Sequence, residues 1–246
     1  QGLSPEAIAE RRDRLRGKLR RLVQKFKGGN LILSTEMASL MDQAGVQEMR
    51  DFLAPWFDEI RVIGYVRPPQ AFKNSLFQEQ VKHGKGTLAN MTLPKYRMRF
   101  EKYDKVFGRE NVILREFKPS AFPNKCIVSD FCGVVGIAPP AEVTRVNESL
   151  SREACGLLYA YRKLGPGYGT GEEVVRENNQ LIAPLLQMEG TKFRFSRQII
   201  GKSPAELEDQ AWMEERLGVS LEERDDEDGS EVNGEEDLLR IRRECC

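Results

Sequence analysis

The sequence predicts an α/β fold, in which helices alternate with the strands of a parallel sheet. Three observations lead there. Short β-branched and apolar runs stand at 30–34, 60–66 and 111–115, each long enough for a strand and too short for a stable helix. Long stretches with helical spacing separate them, and helical connections of that length join parallel strands. The chain's 246 residues also suffice for one sizeable domain with a substantial core.

Taken in order, Ser4-Pro5-Glu6 opens a helix: a hydroxyl cap, proline at the first helical position and an acid against the positive end of the dipole. Ile8, Leu15, Leu19, Leu22 and Phe26 make one apolar stripe, and Arg11, Arg12, Arg14, Arg16, Lys18, Arg20, Arg21, Lys25 and Lys27 crowd the remainder. Such a helix suits either a solvated face above a sheet or an anionic surface. Gly28-Gly29 stops it, and Asn30-Leu31-Ile32-Leu33-Ser34 reads as a short buried strand. Two helical stretches follow, about 37–43 and 46–56, and lead to the strand 60–66.

Pro68-Pro69 forbids that strand from continuing, so Arg67 falls at its carboxyl end. From Gln70 to about Gln80 the spacing of Phe72, Leu76 and Phe77 is helical, with Ser75 in the first turns. A further helix over about 95–106 precedes the strand 111–115, which also ends in an arginine, Arg115. A helix over 125–136 is stopped by Gly136, and the remainder to about Leu217 reads as mostly helical. The glycine-rich run Gly165 to Gly171 lacks the GxxxxGK[ST] pattern and reads as a loop between helices. The domain is expected to span 1–219, and the acid-dense stretch 220–246 to form a disordered tail.

Charge and cysteine usage exclude some classes. The 38 basic and 38 acidic residues cancel, which disfavours a general nucleic-acid binder. No apolar run is long enough to span a bilayer, so no stable membrane insertion is expected. Five cysteines show no CxxC pairing and no histidine cluster, so neither a metal site nor a disulfide framework is expected, and a reducing cytoplasm is the simplest compartment. The Cys245-Cys246 terminus has no upstream feature of a prenylation signal. His83 is the sole histidine and has no triad partner pattern.

The chemistry concentrates around residue 67. In open α/β sheets ligands bind outside the carboxyl ends of the strands, where helix N-termini also point. A guanidinium fork and a hydroxyl in that position, Arg67 and Ser75, suit a phosphate. Glu36, at the end of the run Leu31 to Glu36, is a candidate general base in the same crevice; serving the dipole of the following helix is the alternative.

The stretch from Arg61 to Ser75 resembles the 3′-phosphate-binding strand-turn-helix of sulfotransferases that use 3′-phosphoadenosine 5′-phosphosulfate. In that family an arginine ends a strand, a proline follows closely, and a serine comes eight residues later; here these are Arg67, Pro69 and Ser75. Leu-Ile-Leu-Ser-Thr-Glu, ending at Glu36, is similar to the Ser-x-Glu segment of bacterial carbohydrate-type members. Further likeness lies in Ser75 to Gly84, Val106 to Phe117, Val128 to Phe131 with Gly136, Asn147 to Ser151 and, more weakly, Trp212 to Gly218.

The resemblance implies a three-layer parallel sheet of P-loop sulfotransferase type with a helical C-terminal half. It implies transfer of a sulfuryl group from 3′-phosphoadenosine 5′-phosphosulfate to a hydroxyl acceptor, most simply a carbohydrate. Arg67 and Ser75 would bind the 3′-phosphate and Glu36 would be the base. The family's lysine-containing phosphosulfate loop does not occur before Leu31. The expectation is therefore an amino-terminally truncated member that lacks its first strand, with a degenerate relative as the alternative. A non-catalytic binding or scaffold protein that has kept the fold is the rival reading.

Overall fold

A computed structural model describes residues 4–26, 28–85, 87–88, 91–143, 149–165, 172–223 and 231–240. Lys27, Asn147 and Glu148, most of the glycine-rich run, 224–230 of the acidic stretch and Cys245-Cys246 lie outside them. The chain divides into two compact units, one of Gln1–Ile63 with Met98–Ile113 and the other of Gly64–Arg97 with Leu114–Cys246.

The first unit begins with α1, Pro5–Lys25, whose Ser4 Oγ accepts from the amide of Ala7 at 3.3 Å. A short 3-10 helix, Glu36–Leu40, and α2, Gln43–Leu53, follow; Asp42 caps α2 by accepting from the Gly45 amide at 2.7 Å. α1 rests on α2 through its second half. Val23 is buried, Arg16 pairs with Glu48, and the Arg20 guanidinium lies 5.9 Å from the centre of the Phe52 ring.

Two strands, β1 (Val62–Val66) and β2 (Val112–Glu116), pair as a parallel two-stranded sheet, and the division between the units cuts both. α3 (Pro69–Lys82) follows β1 directly, and α4 (Tyr96–Phe107) precedes β2. Two expected strands are thus present. The third is a correction: residues 30–35 join no ladder, and Ile32 and Leu33 stay about half exposed. A β-branched run becomes a strand only when a neighbouring strand pairs with it and a face covers it, and among the described residues nothing does either. The observed architecture is a mostly helical α/β fold with a two-stranded parallel sheet.

The core of the second unit surrounds α3. Phe77 is fully buried and packs against Tyr159, Phe193 and Phe195, with ring centroids 5.7, 5.4 and 5.0 Å away. The helices α5 (Ile127–Val135), α6 (Arg152–Leu164), α7 (Glu172–Leu186), α8 (Arg197–Ile200) and α9 (Pro204–Leu217) complete the helical half expected from the sequence. Ser203 and Glu206 form a capping box at the start of α9, and Gly136 and Gly218 end α5 and α9 with φ of 71° and 72°.

The expected disordered tail is a second correction for those of its residues that are described. Leu221 and Val232 are buried, and Val232 forms a parallel bridge with Phe195. α10, Glu235–Leu239, buries Leu238 against the core, while Glu235 hydrogen-bonds the Tyr159 hydroxyl and pairs with Lys163 at 2.6 Å. Three apolar residues among many acids are enough here: Leu221 is buried, and Val232 and Leu238 join the core cluster that holds Phe77, Tyr159, Phe193 and Phe195. The acids need only point outwards or find a cation.

Candidate functional site

Arg67 immediately follows β1, as the β-branched run and the paired prolines require. It is half-buried. Its guanidinium lies 4.6 Å from the centre of the Phe117 ring, and its carbonyl accepts from the Tyr96 hydroxyl at 2.7 Å. Phe117 is fixed in turn by its amide, which donates to the Val66 carbonyl at 2.7 Å. Arg67 is therefore held from both ends, by a stacked ring and by a backbone bond.

α3 starts with Pro69 at its first position, where the missing N–H costs nothing. The Ala71 amide donates at 2.8 Å to a carboxylate oxygen of Glu223. Glu223 is held there by Leu221, which is buried and whose amide donates to Glu214 at 2.7 Å, and by Arg197, which donates to the Glu223 carbonyl. A carboxylate from the acidic stretch thus sits at the positive end of α3, where an anionic ligand would also be stabilised. Ser75 lies one turn beyond Ala71 on the same face of the helix and is half-buried.

α3 is locked by polar side chains that the sequence reading passed over. Gln70 donates to the Phe195 carbonyl at 2.8 Å, Asn74 accepts from the Phe195 amide at 2.9 Å, and Gln78 accepts from the Leu150 amide at 2.7 Å. Lys73 donates to the Ile199 carbonyl at 3.0 Å, and burial lowers its pKa from the usual lysine range. At the other end Arg162 and Asn178 bind the Val81 and Lys82 carbonyls at 3.2 and 3.0 Å, which suits the negative end of the helix. These contacts anchor the helix that carries Ser75.

Beside the sheet, Asp130 is almost wholly buried. It receives two bonds from Arg115, at 2.8 and 2.7 Å, and one from the Tyr65 hydroxyl at 2.7 Å. Burial pushes the Tyr65 hydroxyl well above its usual pKa, and the bond to Asp130 pushes it further. Asp130 belongs to the Val128–Phe131 stretch, and its role was not legible: nothing in the spacing says that an acid fifteen residues beyond Arg115 returns to it. Arg115, at the end of β2, is thus held in a structural ion pair, with Asp130 as its partner.

The remaining candidates resolve unit by unit. In the first unit Glu36 is exposed and opens the 3-10 helix, where Thr35 accepts from the Met37 amide at 3.2 Å. Arg99 and Lys102 clamp the same helix, donating to the Ser39 hydroxyl and carbonyl at 2.9 and 2.8 Å, and burial lowers the pKa of both. In the second unit Lys82 pairs with Glu79 at 3.0 Å, and exposed His83 bonds the Glu79 carbonyl at 2.7 Å. Among the described residues no group of acid, cysteine and histidine side chains is arranged to hold a metal. No helix among them is long and apolar enough to cross a membrane.

No family model matches this chain, and neither a curated protein nor a solved structure does.

Proposed function

We propose that this chain is a sulfotransferase that moves a sulfuryl group from 3′-phosphoadenosine 5′-phosphosulfate to a hydroxyl, with a carbohydrate as acceptor. The observation that supports it is the strand-turn-helix at Arg67: an arginine at the end of β1, α3 beginning at Pro69, and Ser75 on its second turn. The donor supplies an activated sulfuryl group. Arg67 offers a charge-assisted fork to its 3′-phosphate, and Ser75 offers a hydroxyl. Glu36 is the proposed base for the acceptor's proton. The finer fold assignment, a three-layer P-loop sulfotransferase sheet, belongs to the same proposal. So does a reducing compartment, which the free thiols of Cys126, Cys132 and Cys155 suit.

A second reading, a non-catalytic binding or scaffold protein on the same fold, is favoured by one observation: Glu223 already occupies the Ala71 amide. Calorimetry with adenosine 3′,5′-bisphosphate separates the two. Arg67→Ala is expected to weaken binding by on the order of 2 kcal/mol or more, the range for a charge-assisted contact in a partly desolvated site. Unchanged affinity removes Arg67 from the site and with it this reading. Glu36→Gln is expected to lower turnover with nucleotide binding intact. Nucleotide binding without turnover in the parent protein favours the scaffold.

A further inference from the structure

We propose that α1 is an adsorption surface for anionic lipid membranes. The helix spans 21 residues, and Ile8, Leu15 and Leu22 recur along it every second turn with 53%, 53% and 51% of their surface exposed. Large aliphatic side chains on a helix long enough to pack are ordinarily covered. Here the contact with α2 is made by an adjoining flank, through Val23, Arg16 and Arg20, and leaves the stripe exposed.

The charges are sorted around that stripe. Arg11, Lys18 and Lys25 run along one side of it and Arg12 along the other, where Arg16 is already paired with Glu48; the acids Glu6, Glu10 and Asp13 all fall on the opposite face. A shallow strip lined by Ile8, Arg11, Arg12, Leu15, Arg16 and Leu19 is almost wholly carbon, so it is the arginine stems that extend the apolar band. Cationic heads beside an apolar band match a lipid interface: the aliphatic groups enter the acyl boundary while the guanidinium and ammonium groups reach the phosphates.

A second copy of the chain fits less well. Arg11, Lys18 and Lys25 each follow a stripe residue by three positions, which is where a helical partner would place its own seam, so two copies of α1 would set cations against cations. A nucleic-acid backbone would leave the aliphatic stripe unused.

The test is co-sedimentation of the full chain with vesicles of phosphatidylcholine plus phosphatidylserine, against vesicles of phosphatidylcholine alone. The chain is expected to bind the anionic vesicles, to release as salt is raised, and to bind neutral vesicles weakly. Leu15→Glu is expected to lower the partition about tenfold or more, and Arg11→Glu and Lys18→Glu each by about fivefold or more. All three positions are on the surface; circular dichroism and urea midpoints matching the parent establish that the variants fold. Equal partition to neutral vesicles overturns the proposal, as does binding that ignores Leu15→Glu. Absence of vesicle binding also overturns it, whether sedimentation velocity then shows a dimer that Leu15→Glu dissolves or an acidic amphipathic peptide binds in its place. Nucleotide binding and turnover are separate readouts, so failure here leaves the sulfotransferase reading standing.

Discussion

The aromatic cluster around α3 in the second unit and the amino-terminal segments of the first treat similar apolar material differently. In the second, Phe77, Tyr159, Phe193 and Phe195 close on one another, and even the short segments around Val232 and Leu238 are drawn in. In the first, Ile8, Leu15, Leu22, Ile32, Leu33, Met37 and Leu40 are about half exposed or more, while burial centres on Val46, Leu53, Tyr103, Val106, Phe107 and Val112 and takes only Val23 from α1. Both units contain amphipathic helices, so the difference is not one of composition. Aromatic residues from segments distant in sequence converge on α3, whereas α1 and the 30–35 segment are offered no comparable partner within their own unit. Hydrophobicity in a sequence states a demand for cover, and the rest of the fold decides whether it is met.

That contrast can be broken experimentally. Phe77→Ala should cost about 4 kcal/mol, since it empties the centre of the aromatic cluster, and urea unfolding will measure it. A loss under about 1 kcal/mol would mean that the cluster is as loosely packed as the amino-terminal segments of the first unit. Gly156→Ala comes next. A methyl there would lie 2.7 Å from the Leu238 carbonyl oxygen, a backbone atom that cannot swing aside, so a cost of about 2 kcal/mol is expected. Hydrogen exchange should show the loss concentrated in 231–240, and unchanged protection there would disprove the docking of α10.

Glu223→Gln is a smaller test, aimed at the anion already on α3. Removing its charge leaves the positive end of the helix without a competing anion, and adenosine 3′,5′-bisphosphate should bind about fivefold more tightly, the effect of one charge at a helix terminus. Weaker nucleotide binding would show that Glu223 supports the ligand instead of competing with it. At the bottom of the scale, Leu33→Ser should change stability by no more than about 0.5 kcal/mol, because Leu33 is already exposed. A cost above about 2 kcal/mol would show that the segment is covered in solution.

Several element ends were legible because their signals are local. Ser4 caps α1 through its hydroxyl, Gly136 ends α5 at positive φ, and Pro68-Pro69 stops β1 so that Arg67 follows it. The strand expected at 30–34 failed for the converse reason: strand formation depends on a neighbour, and a β-branched run carries no information about whether one is present. The candidate site was legible in its named residues, Arg67 and Ser75, and illegible in what holds them. Gln70, Asn74 and Gln78 look like ordinary polar residues on a helix until Phe195 and Leu150, far along the chain, bring backbone groups to them.

By itself the sequence determined where α1 starts, where α5 and β1 end, and that a cation and a hydroxyl eight residues apart flank a strand-helix turn. These follow from backbone sterics, caps and side-chain period, which act within a few residues. Only the tertiary structure decided that Glu223 reaches the amide end of α3, that Asp130 takes up Arg115, that Val232 and Leu238 are core, and that α1 keeps its aliphatic stripe uncovered. Each of these depends on which distant segment arrives, and long-range arrival is set by the competition of many weak burial and pairing energies that no short window of sequence contains.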